Sequence, residues 1–265
     1  MQSAAIEAAK LAGEIIRKGM EPHQNHTITT KGKNDFMTET DLEAENAVIA
    51  YLKKQSPGFN IISEESPEIG GESEYTWIID PLDATANFIH GYPVVAVSIG
   101  LMKHGERIAG VVYDPLREEL FTAQKGQGAL LNGEPIEVTK RQSLDGSLIG
   151  TGFPLRYKSH LALYLDCFKA VFEADCGIRR DGCAALNLCY VACGRFDGFW
   201  EFLLRPWDLA AGSLILEEAG GKISDFAGSS GYMESGNVIA GNPFIHAEMK
   251  RLLAPILSGK KITRK

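Results

Sequence analysis

Two carboxylates three positions apart, Asp80 and Asp83, flank Pro81 and Leu82 directly after the apolar run Trp77-Ile78-Ile79. The run has strand character, so the pair stands where a strand gives way to a turn. Carboxylates are hard oxygen donors, and Mg2+ is typically held by one or two of them together with substrate phosphate oxygens. Asp-Pro pairs are also ordinary turn formers, so these two residues alone do not separate a turn from a metal site. Other acidic residues stand at element ends as well. Asp41 opens a helix, Glu64 and Glu65 follow a short strand, and Asp208 opens a helix in Arg205-Pro206-Trp207-Asp208. Each has a structural alternative: Asp41 and Asp208 as helix caps worth about 1 kcal/mol each, Glu64 and Glu65 as solvated loop charges. Taken together around Asp-Pro-Leu-Asp, they describe a site for several cations, assembled from loops at strand ends.

The elements that must carry these residues follow from periodicity. Residues 3–20 read as an amphipathic helix with Ile6, Ala9, Leu11, Ile15 and Ile16 on its apolar face, ended by Pro22. Residues 23–35 are polar and read as a loop. A second helix spans about 41–55, capped by Thr40 or Asp41, with Leu42, Val48, Ile49 and Leu52 as its buried stripe. A strand at 59–62 leads to Glu64. Apolar runs at 94–102, 107–113 and 119–123, then 129–131 and 135–138 around Asn132-Gly133, form an antiparallel meander. From about 147 the pattern changes. Strands at 147–151, 177–180, 196–201, 222–224 and 238–240 are interleaved with helices at about 158–174, 183–193, 207–219 and 243–257, a layered α/β pattern. The division expected is an N-terminal α+β lobe, residues 1–145, with most of the acidic residues. A C-terminal α/β lobe, residues 146–265, contributes Asp208. The basic tail from Gly259 to Lys265 is expected to fray.

Composition narrows the classes. The chain has 265 residues and a net charge of -7. That length suits one large domain or two lobes. The charge disfavours a nucleic-acid binder working by bulk electrostatics. It suits an enzyme of anionic substrates only where bound cations reverse the local field. No signal-like apolar segment opens the sequence. The stretch from Ala84 to Met102 lacks Asp, Glu, Lys and Arg, but Asn87, His90, Gly91 and Pro93 break it, so it does not read as a membrane span. Five cysteines, with no C-x-x-C spacing, read as reduced thiols in a cytoplasmic protein. Cys189 and Cys193 read as small apolar packing groups rather than a metal pair.

The segment from Trp77 to Phe88 resembles the first signature of the inositol monophosphatase family, and Trp207-Asp208-Leu209-Ala210-Ala211-Gly212, running on to Gly221, resembles its second. Ser63-Glu64-Glu65-Ser66 and Thr38-Glu39-Thr40-Asp41 are similar to two more family segments. Order and spacing match over about residues 4–257, and bacterial inositol-1-monophosphatases are the nearest type. The resemblance implies a layered α-β-α-β-α sandwich of the inositol monophosphatase/fructose-1,6-bisphosphatase type, a homodimer, lithium sensitivity, and two to three Mg2+ ions per subunit. Glu64, Asp80 and the Leu82 carbonyl would hold the first ion. Asp80, Asp83 and Asp208 would hold the second, and a third would lean on Glu64. Thr85, with Asp41 behind it, would polarise the attacking water. The N–H groups of Ala84 and Thr85 would face phosphate oxygens, Glu201 would bind a substrate hydroxyl, and Ala184 would offer a backbone contact. Lys31 matches the family's lysine near the site, with Lys33 competing. The chain departs from the family at Ala84, usually Gly; at Ala86, usually Ser or Thr; and at Cys183, often Thr. If the Ala84 position requires a positive φ, alanine there adds roughly 1 kcal/mol of strain.

The implied activity is Mg2+-dependent hydrolysis of myo-inositol monophosphates and related polyol phosphates. A fructose-1,6-bisphosphatase or dual activity is the alternative, and would draw a cation from Arg179, Arg180 or Lys158. An RNA- or transcription-complex-binding factor is the reading from another class, favoured only by the basic tail and Arg179-Arg180. The partners expected are therefore a small phosphate monoester and a second copy of the chain, with neither a membrane nor a nucleic acid.

Overall fold

The computed structural model describes residues 1–21, 27–32 and 35–264. Lys33 and Pro22 lie outside the described residues. The elements are α1 (Gln2–Gly19), β1 (Ile28–Gly32), β2 (Asp35–Thr38), α2 (Glu39–Gln55), β3 (Asn60–Ser63), β4 (Tyr75–Asp83), α3 (Thr85–Ile89), β5 (Ala96–Lys103), β6 (Glu106–Asp114), β7 (Glu119–Gln124), β8 (Ala129–Leu131) and β9 (Glu134–Ile136). They continue with β10 (Leu148–Thr151), α4 (Leu161–Glu173), β11 (Gly177–Arg179), α5 (Ala184–Ala192), β12 (Gly198–Glu201), α6 (Pro206–Glu218), β13 (Lys222–Ser224), α7 (Tyr232–Ser235), β14 (Val238–Gly241) and α8 (Pro243–Leu257).

Two large sheets divide the described residues. One runs β3-β4-β5-β6-β7-β8-β9, parallel at β3–β4 and antiparallel from there on. The other runs β11-β10-β12-β14-β13, parallel through β12 and antiparallel beyond it. Helices α1 and α2 cover one face of the first sheet, α5 and α6 lie between the sheets, and α4 and α8 form the outer layer on the second. This is the α-β-α-β-α order that the family resemblance implies. Three apolar clusters fill the layer boundaries, and Trp77, Phe121 and Trp200, each fully buried, stand one in each.

The close approach of α6 to the first sheet is built by two glycines. Gly100 on β5 pairs with Gly110 on β6. A Cβ at Gly100 would come within 2.8 Å of the Ala210 Cβ, and one at Gly110 within 2.7 Å of the Ala211 carbonyl oxygen. Without side chains at these positions the helix settles against the strands, and Ser98 donates to the Trp207 carbonyl at 3.1 Å.

Several local expectations change. The described part of 23–35 contributes to a hairpin, with Ile28 paired to Thr38. Its β-branched Ile28, Thr29 and Thr30 favour strand, but the strand is exposed and lacks the alternation that would mark it. Helix α2 begins earlier: Thr38 is its cap, not Thr40 or Asp41. Leu42 and Leu11 are exposed, and alanines (Ala44 in α2; Ala5, Ala8, Ala9 and Ala12 in α1) take the buried positions, letting the two helices pack closely. The tail does not fray over its described length. Ile262 is 9% exposed, and the Asn237 amide donates to its carbonyl at 3.2 Å. No described helix is long and apolar enough to cross a membrane.

Candidate active site

The geometry starts at a bulge. Strand β4 pairs Asp80 with Ser98 and then Asp83 with Ala96, so it advances three residues while β5 advances two. Residues three apart on a regular strand point to opposite faces, and one extra residue returns them to the same side. Pro81 is tolerated there because a bulge releases its residue from the ladder. The Leu82 N–H turns back to Asp80 Oδ1 at 3.1 Å.

From the distant half of the chain α6 supplies Asp208. Pro206 stands at its first position, and Asp208 Oδ2 accepts the Arg205 N–H at 2.6 Å. One oxygen thus caps the helix and the other is left for the pocket. Asp80, Asp83 and Asp208 each offer an oxygen, and the three atoms lie within 4.8 Å of one another. Asp83 is tethered from a third direction: its Oδ2 accepts the Ala185 N–H at 2.8 Å and the Cys183 thiol at 3.1 Å. The thiol therefore takes a donor's place where a hydroxyl is usual in the family. Cys183 itself is fully buried and does not line the pocket.

Electrostatics mark the cluster as built for a cation. Burial, reinforced by Glu64, Asp83 and Asp208, pushes Asp80 well above the usual carboxylate range. Burial and then Asp83 push Asp208 to about 8. Burial raises Asp83 to about 6 against the pull of the Ala185 N–H and the Cys183 thiol. Buried carboxylates facing one another do not all stay ionised without a counter-charge. Closely spaced hard oxygens without nitrogen or sulfur ligands suit Mg2+ or a similar ion. The residues present therefore fit the expected metal.

The remaining expected residues fall around this trio. Glu64, Leu82, Ala84, Thr85, Ala184 and Glu201 line the same pocket. Glu64 is held by its surroundings: the Glu65 N–H donates to Glu45 Oε1 at 3.1 Å, anchoring the loop to α2. Its carboxylate stands 3.5 Å from Lys31 Nζ and 3.6 Å from the Arg156 guanidinium. Lys31 also lies 2.8 Å from Glu65, which burial raises to about 7. Glu201, at the end of β12, is raised to about 8 by burial and by Asp208. Thr85 donates to Asp41 Oδ1 at 2.8 Å, while Asp41 Oδ2 accepts the Thr38 N–H at 2.7 Å.

Ala84 sits at φ 79° and ψ 48°. The left-handed conformation that favours glycine is therefore required here, and alanine adopts it. Neither its N–H nor that of Thr85 is taken by a backbone acceptor among the described residues.

Of the cations weighed for a second phosphate, Arg180 lines the pocket and stacks over the Phe153 ring at 5.1 Å. Arg179 and Lys158 do not line it. Arg156 and Tyr157 line it as well, and nothing in the sequence marks them. They lie between β10 and α4, in a segment whose sequence carries no motif.

A family model described as the inositol monophosphatase family matches residues 1–260. The chain belongs to the inositol monophosphatase family. Among members of that family, it is 47% identical over 247 residues to Nus factor SuhB of Pseudomonas aeruginosa, covering 91% of each chain. It superimposes on the crystal structure of extragenic suppressor protein suhB from Bartonella henselae with a TM-score of 0.93 at 40% identity, covering 97% of this chain and 98% of that one. It superimposes on the inositol monophosphatase from Anabaena with a TM-score of 0.85 at 36% identity, covering 96% and 95%.

Proposed function

We propose that this protein is a Mg2+-dependent phosphate monoester hydrolase acting on myo-inositol monophosphates and related polyol phosphates. The observation that carries the proposal is the meeting of Asp80, Asp83 and Asp208 within 4.8 Å, in a pocket that Thr85 and Glu201 also line. Asp80, Asp83 and Asp208 would hold one ion, Glu64 with Asp80 and the Leu82 carbonyl another, and a third would lean on Glu64. Bound Mg2+ supplies Lewis-acid activation of water and neutralises charge on the phosphate and the leaving oxygen.

The chain's own groups divide the rest of the work. Uncatalysed hydrolysis of a phosphate monoester is among the slowest reactions known, so both attack and departure need help. Thr85 Oγ1 takes a proton from the attacking water as it passes its own to Asp41 Oδ1. Burial holds Asp41 above the usual carboxylate range, which suits it to receive that proton. The N–H groups of Ala84 and Thr85 contact phosphate oxygens. Glu201 orients a substrate hydroxyl, and the Ala184 backbone provides a further contact. The departing alkoxide oxygen takes a proton from solvent water, and the products are the free polyol and inorganic phosphate. A homodimer, taken from the resemblance, and a cytoplasmic location, taken from the unpaired cysteine pattern, are part of the same reading.

Turnover compared across myo-inositol 1-phosphate, glycerol 2-phosphate and fructose 1,6-bisphosphate, with and without Mg2+, tests it. Preference for the monophosphates supports the reading. Preference for the bisphosphate favours the fructose alternative, with Arg156 and Arg180 as the second phosphate's cations. No Mg2+-dependent turnover on any of them ends the hydrolase reading.

A second function is favoured by the name of the relatives. Nus factor SuhB is the name of the Pseudomonas aeruginosa relative at 47% identity, so the expectation that nucleic acid is no partner loses its support. We infer that the chain also engages a transcription complex, with exposed Arg179, Lys260 and Lys261 as its basic contacts. Retention on RNA polymerase or ribosomal RNA that falls as salt rises supports this. Absence of retention at low salt removes it.

A further inference from the structure

The last described residues do not hang free. Three hydrogen bonds tie residues 262–264 to three separate places, the Asn237 side chain, the His160 ring and the pocket-lining Leu204. The Asn237 amide donates to the Ile262 carbonyl at 3.2 Å, and the same side chain accepts the Leu203 N–H at 3.2 Å. The His160 ring meets the Thr263 carbonyl at 3.1 Å. The Arg264 guanidinium donates to the Leu204 carbonyl.

Leu203 and Leu204 belong to the short link between β12, which ends at Glu201, and α6, which carries Asp208. Both line the pocket. This link is under local strain, with Leu203 at φ 63° in the left-handed region where a branched residue is costly. Such a conformation persists only where neighbours over-determine it. Leu204 N–H donates to the Gly236 carbonyl at 2.8 Å, and a side chain at Gly236 would run into the Leu204 carbonyl and the Arg264 guanidinium. Arg205 then ties the link to the opposite rim through the Tyr157 hydroxyl at 3.1 Å.

Arg264 forms no ion pair with a carboxylate among the described residues, and its Nε is buried without a hydrogen-bond partner. A half-buried guanidinium whose visible bond goes to a backbone carbonyl of the pocket wall serves that wall. We propose that residues 262–264 form a strap that holds the 202–205 wall in place, with Arg264 as a positioning residue for Glu201 and Asp208. Loss of the strap leaves the wall to be ordered by the substrate, so the cost appears in binding rather than in the chemical step.

The test is Arg264→Ala beside Arg264→Lys in the full-length protein. Amide hydrogen exchange at Leu203 and Leu204 reads the wall directly and does not depend on the phosphatase reading. About tenfold faster exchange is expected for Arg264→Ala, the order of one lost hydrogen bond from a charged donor, and Arg264→Lys restores most of the protection. The catalytic arm rests on the phosphatase reading: KM for myo-inositol 1-phosphate rises about fivefold while kcat stays within about twofold. Unchanged exchange at both amides overturns the strap. So does faster exchange with KM unmoved, or a fall in kcat at constant KM. If the wild-type protein hydrolyses no phosphate ester, the proposed function falls. Mg2+ affinity, followed by Trp207 fluorescence, then replaces KM as the second readout, and equal affinity in Arg264→Ala and wild type overturns the strap.

Discussion

Thr85 and Asp41, 44 residues apart in sequence, share a hydrogen bond of 2.8 Å from the hydroxyl to Oδ1. The other Asp41 oxygen accepts the Thr38 N–H at the start of α2, so one carboxylate serves both a helix cap and the proposed water-orienting pair. Removing the hydroxyl separates the two roles. Thr85→Ala should lower kcat by about a hundredfold, the low end of general-base effects, with little change in melting temperature. Thr85→Ser should keep most of the activity. Asp41→Asn should lose both turnover and about 1 kcal/mol of stability, because the cap is weakened too. Steady-state kinetics paired with thermal melts separates these outcomes, and full activity in Thr85→Ala refutes the assignment.

Asp83 has a tether beside its proposed role as a metal ligand. Its Oδ2 receives donors from Cys183 and Ala185 about a hundred residues away, joining β4 to the start of α5. An amide there must either turn its NH2 against two donors or move its oxygen away from the metal. Asp83→Asn should therefore abolish Mg2+-dependent turnover and also cost about 1–3 kcal/mol, as expected for disturbed buried hydrogen bonds. Near-normal turnover at saturating Mg2+ would sink the metal assignment. Unchanged stability would show that the tether contributes nothing to the fold.

Ala84 holds φ 79°, a conformation costing an L-residue roughly 1–2 kcal/mol that glycine avoids. Glycine gives back part of this as unfolded-chain entropy. Ala84→Gly should therefore stabilise the protein by about 0.5–1 kcal/mol while turnover changes less than about twofold, because the N–H facing the phosphate is retained. Denaturant melts measure the first and kinetics the second. A destabilised Ala84→Gly variant would show that the alanine methyl contributes packing that outweighs the strain.

The site was legible because its chemistry is written in short segments. Asp80-Pro81-Leu82-Asp83, Glu64 and Asp208 each stand at an element boundary, and boundaries follow from periodicity. The family's glycine raised a positive φ at Ala84 as a condition, and the structure meets it. What stayed hidden depends on three-dimensional neighbours. Gly100 and Gly110 form a seat for α6 only once β5 and β6 are paired, and nothing local announces it. Arg156 reaches Glu64 from 92 positions away in sequence, out of a loop with no motif. The tail reads as a frayed basic segment, because Ile262 alone is too little apolar signal to predict docking.

The buried carboxylates predict how Mg2+ and pH act together. Asp83 at about 6 and Asp208 at about 8 lie above their ordinary value of 3.8, chiefly through burial. The folded protein thus holds protons that the unfolded chain releases. Their contribution to the metal-free fold is complete below about pH 4 and is lost as pH rises through about 6 to 8. Buried His246, lowered to about 4 from 6.5, works the other way. Its contribution is complete above about 6.5 and falls away below that, so it does not mask the carboxylates above neutrality. Metal ligands must be deprotonated to bind, so Mg2+ competes with the same protons. In EDTA the melting temperature should fall between about pH 6.5 and 8.5, while the rise produced by saturating Mg2+ should grow over that window. Asp208→Asn should weaken both trends, since a strongly raised carboxylate is removed while the Arg205 N–H keeps an oxygen to bond, and Glu65 at about 7 and Glu201 at about 8 leave a smaller residual fall. A Mg2+-induced rise that is equal at both ends of the window, in wild type and variant alike, would show that the ion does not bind at these carboxylates.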